Sequence, residues 1–164
     1  MKKYELTEET KIIGDKTLFR IRALRSFGDI KAGDLGGFIE NERNLSHEGN
    51  AWVSGDARVD GDARVDGDAW VDGDAWVDGN AQVSGDGLIN SNNDYLCEKG
   101  LGSHNRSASF FKCKDGHIHV LCGCFDGNLD EFENKVKKEH GNSKYAKEYL
   151  GFIEVVKTHF EVRQ

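Results

Sequence analysis

Val53, Val59, Val65, Val71, Val77, Val83 and Ile89 recur every six residues, and Ala57, Ala63, Ala69, Ala75 and Ala81 follow the first five valines by four places. Gly-Asp or Gly-Asn separates successive apolar groups. An α-helix turns once in roughly 3.6 residues and would scatter a six-residue period around its circumference. Three short strands per 18-residue turn keep the period in register. The pattern therefore predicts a short left-handed parallel β-helix of hexapeptide repeats over residues 49–90, in a protein that is mainly β. Valine and alanine point inward, and glycine, which tolerates positive φ, turns the corners beside Asp or Asn.

Residues 18 apart should then stack on the outside. Trp52, Trp70 and Leu88 form one expected column, Arg58 lies on Trp76, and Arg64 lies on Gln82. An exposed aromatic stripe on a small acidic rod favours association, so Trp52, Trp70, Trp76 and Leu88 are the expected subunit contact of a homotrimer. The corner aspartates stack as well, Asp56 on Asp74 and Asp60 on Asp78. Solvated carboxylates are the expected state of these corners, because the nonapeptide pattern of calcium-binding β-rolls is absent.

On either side the pattern changes. Residues 17–24 alternate like a strand, and residues 12–16 before them look like a hairpin entry, so residues 1–48 are expected to form an N-terminal β cap over the open end of the repeat. Residues 91–164 read as a C-terminal α+β unit of one β-hairpin plus two helices. The hairpin pairs 107–113 with 117–125 around Lys114, Asp115 and Gly116. Asn128 with Glu131 three residues on resembles a capping box opening a first helix that Gly141 closes. In the second helix Ala146, Tyr149, Leu150, Ile153, Val156 and Phe160 recur at spacings of three and four, which gives one apolar face.

Composition adds the location of the charge. The chain of 164 residues carries a formal net charge of -7. Residues 49–90 hold nine Asp and two Arg, so the excess acid belongs to the repeat, and duplex nucleic acid is not an expected partner. No apolar run is long enough to cross a bilayer, so no membrane partner is expected and a cytoplasmic setting is. There Cys97, Cys113, Cys122 and Cys124 would be free thiols.

The candidate chemistry lies in the C-terminal unit. Gly102, Ser103, His104, Asn105 and Arg106 form a glycine-containing loop whose amides, hydroxyl, amide side chain and planar guanidinium suit a phosphate or carboxylate. His117 and His119, on one face of a predicted strand, could read the same anion or a base. Cys113, His117, His119, Cys122 and Cys124 also include zinc-type donors, but a Cys-x-Cys beside a His-x-His on one strand wraps poorly around one ion, so no metal and no cofactor is expected.

The GDARV repeats, the strand Arg20-Ile21-Arg22-Ala23-Leu24 and the segment Gly33-Asp34-Leu35-Gly36-Gly37-Phe38-Ile39-Glu40 resemble hexapeptide-repeat proteins carried by bacteriophages and prophages, often labelled polymer-forming or transferase-like. The stretch from Gly102-Ser103 through Cys122-Gly123-Cys124-Phe125 is similar to members of the same group. The resemblance implies a phage accessory protein in the bacterial host cytoplasm, a class that often counters host defence. The expected function is non-enzymatic: sequestration of a small anionic ligand, such as a cyclic or ADP-ribose-derived nucleotide signal. The competing class is an interaction module whose acidic repeat inhibits a host protein. Acyl transfer, known from hexapeptide β-helices, comes third: it needs a histidine in a cleft between coils, none occurs in residues 48–90, and His47 at the entry is expected to be a surface residue.

Overall fold

The computed structural model describes residues 1–162, which divide into two compact units, Met1–Asn92 and a second that begins at Asn93. In the first unit β1 (Tyr4–Ile13) and β2 (Lys16–Ala23) form an antiparallel hairpin about Gly14, whose φ is 61°. Strand β3 (Leu35–Ile39) pairs antiparallel with β2, and a 3-10 helix, Glu42–Asn44, leads into the repeat. There each hexad contributes one strand of two residues: β4 (Trp52–Val53), β5 (Arg58–Val59), β6 (Arg64–Val65), β7 (Trp70–Val71), β8 (Trp76–Val77), β9 (Gln82–Val83) and β10 (Leu88–Ile89).

The expected left-handed β-helix is corrected here. The first unit is built from several small sheets, and no closed or solenoid sheet runs through it. Strands 18 residues apart do pair in parallel, Trp52 with Trp70, Trp70 with Leu88, Arg58 with Trp76 and Arg64 with Gln82. They fall into separate sheets ordered β10-β7-β4 and β6-β9, while β5 and β8 belong to a mixed five-stranded sheet ordered β1-β2-β3-β5-β8. The reason is local. Glycines such as Gly61 and Gly67, both at φ 66°, leave only two residues per hexad in extended geometry, and the edge of β5 is taken by β3, which carries the antiparallel hairpin with it. A six-residue period sets the pairing distance; it does not make the sheet self-contained.

The repeat's core is its valines, Ile89 and alanines, each at most 1% exposed. Trp52 is buried too, with Tyr4 and Phe27 edge-on to its ring at 6.4 and 5.4 Å. It is therefore not part of an exposed stripe, and only Trp70, Trp76 and Leu88 of the expected subunit contact keep partial exposure. The hairpin also answers the acidity of the repeat: Lys11 Nζ reaches Asp56 at 2.6 Å, and Lys16 pairs with Asp60, which is 1% exposed and also accepts from Trp76 Nε1.

The second unit has more strands than one hairpin. Strands β11 (Tyr95–Leu101), β12 (Arg106–Lys112), β13 (Ile118–Cys122) and β14 (Phe125–Asn128) form an antiparallel sheet in chain order, followed by α1 (Leu129–His140) and α2 (Lys144–His159). Asn128 caps α1 in a reciprocal box, its side chain accepting from the Glu131 amide at 2.9 Å and its own amide donating to Glu131 Oε2 at 3.0 Å. Ala108, Phe110, Ile118, Val120 and Cys122, on one face of the sheet, share a core with Phe132, Val136, Tyr149, Ile153 and Val156 of the helices. No helix among the described residues is long and apolar enough to cross a membrane.

Candidate functional sites

Strand alternation sorts the chemistry of the second unit onto two faces. Arg106, at the start of β12, and Cys122, at the end of β13, lie at the end of the sheet where β13 turns into β14 through Gly123 and Cys124. Together with Phe125, Phe132, Lys135, Val136, Glu139, His140 and Tyr149 they line a cavity of about 190 Å³. Arg106 takes part in no ion pair among the described residues, and its side chain lies across Gly123, where a Cβ would sit 2.3 Å from Nη1. Lys135 is held by Glu139 at 2.6 Å, a helical pair four residues apart. The ring of His140 stacks on Tyr149 at 5.6 Å.

Two neutral polar groups also line this cavity, the thiol of Cys122 and the hydroxyl of Tyr149, which donates to the Leu101 carbonyl at 3.4 Å. Burial, reinforced by Cys122, pushes the Tyr149 hydroxyl up to about 12, and burial pushes the Cys122 thiol above its ordinary range, so both keep their protons at neutral pH. With Lys135 offset by Glu139, the guanidinium of Arg106 lines the cavity without a carboxylate partner among the described residues.

The glycine-containing loop does not act as one cradle. Ser103, His104 and Asn105 form an exposed turn between β11 and β12, with Ser103 Oγ 2.9 Å from His104 Nδ1 and Asn105 at φ 49°. Gly102 is buried and gives its amide to Glu148 Oε2 at 3.2 Å. A Cβ there would meet the Tyr149 hydroxyl at 2.3 Å, so this glycine makes room for a helix side chain. Of the five loop residues only Arg106 reaches the cavity. Lys135, His140 and Tyr149 had no sequence signal for this role beyond their helical spacing.

His117 and His119 are elsewhere, on the sheet face opposite the helical core. His119 stands directly across from Phe111, their rings 5.3 Å apart, and Cys113 comes alongside through its amide, which donates to the His117 carbonyl at 3.0 Å. Donor atoms of Cys113, His117 and His119 all lie within 4.8 Å of one another. Cys122, of opposite parity, is in the helical core and takes no part.

In the first unit His47 is half-buried against the hairpin. It stacks on Tyr4 at 4.3 Å, and its Nδ1 accepts from the Lys3 amide at 3.2 Å. No family model and no curated protein matches the chain.

Proposed function

We propose that the protein is a non-enzymatic binder of a small anionic ligand, held in the cavity around Arg106. The observation that carries this reading is an arginine without a carboxylate partner among the described residues, in a partly apolar cavity beside protonated tyrosine and thiol groups. Guanidinium suits the planar, bidentate geometry of phosphate or carboxylate, and hydrogen bonds to a charged group contribute about 1.5–3 kcal/mol each. The size restricts the ligand. Pockets that enclose a whole drug-sized molecule run to roughly 300–1,000 Å³, so a cavity of about 190 Å³ takes a phosphoryl or phosphoribosyl group and leaves the rest of a nucleotide outside. Sequestration of a nucleotide-derived signal remains the biological form of this proposal, with the phosphoryl end as the part recognised.

Calorimetry of the full chain, stripped of metal, with inorganic phosphate, pyrophosphate, cyclic nucleotides and ADP-ribose tests the proposal. The expected result is one ligand per chain, weakened about 10- to 100-fold by Arg106→Gln. Absence of binding across this set, or unchanged affinity in Arg106→Gln, would defeat it.

A further inference from the structure

We propose that Cys113, His117 and His119 form a binding site for a divalent transition metal, zinc being the ion whose chemistry fits the set. This site is independent of the Arg106 cavity. The argument begins with the protons of the two imidazoles. His117 Nδ1 lies 2.5 Å from Asp115 Oδ1, and His119 Nε2 lies 2.6 Å from Asp126 Oδ1. A carboxylate only accepts, so each of these ring nitrogens carries a proton and donates it. In the neutral rings that leaves lone pairs on His117 Nε2 and His119 Nδ1, and these two atoms face each other at 3.4 Å. Two acceptors aimed at one another repel unless a cation stands between them.

The spacing fits a metal ion. Zinc–nitrogen bonds of about 2.0–2.1 Å at a tetrahedral angle put two nitrogens about 3.3 Å apart, and a zinc–sulfur bond of about 2.3 Å puts sulfur about 3.5 Å from each nitrogen. The nitrogen pair already has that separation, and the thiol of Cys113 is within 4.8 Å of both histidines' donors, so the three donors are gathered within about 1.3 Å of the spacing an ion would impose. The outer partners have the arrangement that ligating histidines use: a carboxylate on the second nitrogen fixes the tautomer, orients the ring and raises its basicity. Asp115 is fixed in turn by the His117 amide at 3.1 Å.

The ion is reached by an open route on one side and shielded on the other. Cys113 is 5% exposed, whereas the His117 side chain keeps 40% of its surface. Three protein donors leave a fourth position for water or an exogenous anion, as in zinc sites that keep an open coordination place. Binding displaces the thiol proton from Cys113, so uptake releases a proton. Strand geometry explains why the sequence pointed away from a metal: Cys122 and Cys124 were grouped with Cys113 and the histidines as donors centred on one strand, whereas Cys122 turns into the helical core and Cys113 meets the histidines from across the turn of the β12–β13 hairpin.

The test uses the full chain after chelator treatment, titrated with Zn²⁺ by calorimetry and with Co²⁺ by absorption spectroscopy. The expected outcome is one ion per chain, with a thiolate-to-cobalt charge-transfer band that disappears in Cys113→Ala and persists in Cys124→Ala. His117→Gln, at an exposed position that leaves the core intact, should weaken Zn²⁺ at least about tenfold, and Asp126→Asn about 10-fold through the ring of His119. Circular dichroism of each metal-free variant should match that of the unaltered chain. Failure to bind either ion would overturn the site, showing that a shared proton relieves the two nitrogens. So would binding that survives both Cys113→Ala and His117→Gln, which would place the ion elsewhere.

Discussion

Lys3 has no exposed surface, yet its ammonium is held by backbone carbonyls, at 2.7 Å from Ala51 and 3.4 Å from Glu48, with the ring of Phe27 5.0 Å away. Burial first, and then Arg25, lowers its pKa from 10.5 to about 8. In the unfolded chain the group keeps its proton to about 10.5, so between these two values the unfolded state binds more protons and stability rises with pH. Below pH 8 the charged form carries its desolvation cost in full. Replacing Lys3 with Met removes the titration while filling similar space. The unfolding free energy of the unaltered chain should therefore rise relative to Lys3→Met from pH 8 to 10.5 by about 3 kcal/mol at most, and the difference should be flat below pH 8. Tyr4, whose pKa is raised by its own burial, is common to both proteins and cancels from the comparison. Urea denaturation at a series of pH values reads the difference directly.

The elements differ in how far they could be read from residues alone. The six-residue period was legible in Val53 to Ile89, and the 18-residue pairing it implies is present, but the sheet that β5 and β8 join was not, because nothing in the hexads records that β3 would occupy their edge. The capping box of Asn128 and Glu131 was legible because it is local. Strands β11 and β14 were not, since Tyr95–Leu101 and Phe125–Asn128 contain Gly100 and Gly127 and gain their pairing only from β12 and β13. For the same reason the Arg106 cavity escaped notice: helix residues more than 25 positions away supply its far wall. Within the repeat the corner glycines are not equivalent. Gly67 and Gly79 have φ of 66° and 61°, but a Cβ on Gly67 would meet the Gly85 amide nitrogen at 2.7 Å, while one on Gly79 meets nothing within 4 Å. Gly79→Ala should cost about 1–2 kcal/mol, the strain of the left-handed conformation alone. Gly67→Ala adds overpacking of about 1–3 kcal/mol. Thermal unfolding of the two variants should rank them in that order, and equal losses would mean that the stacked turns move apart freely at the corner.

Across the whole molecule the charge of -7 resides in residues 49–90, where nine aspartates face two arginines, and twenty groups of each sign are left elsewhere. The hairpin cations Lys11 and Lys16 are occupied with Asp56 and Asp60, and the first unit as a whole carries the excess acid. An anionic ligand thus approaches a protein whose overall field opposes it and binds through local contacts at Arg106. With a screening length of about 8–10 Å at 100–150 mM, salt weakens the attraction of one guanidinium only modestly. A surface that gathers six to ten phosphate contacts loses about 10³- to 10⁵-fold in affinity between 50 and 200 mM salt. The cavity, where the guanidinium of Arg106 lacks a carboxylate partner among the described residues, should change its affinity for pyrophosphate less than about threefold over the same range. Calorimetry at the two salt concentrations distinguishes these cases. A loss of tenfold or more would mean that several cations converge on the ligand, which the surroundings of Arg106 do not provide, and the binding surface would then have to lie outside the cavity.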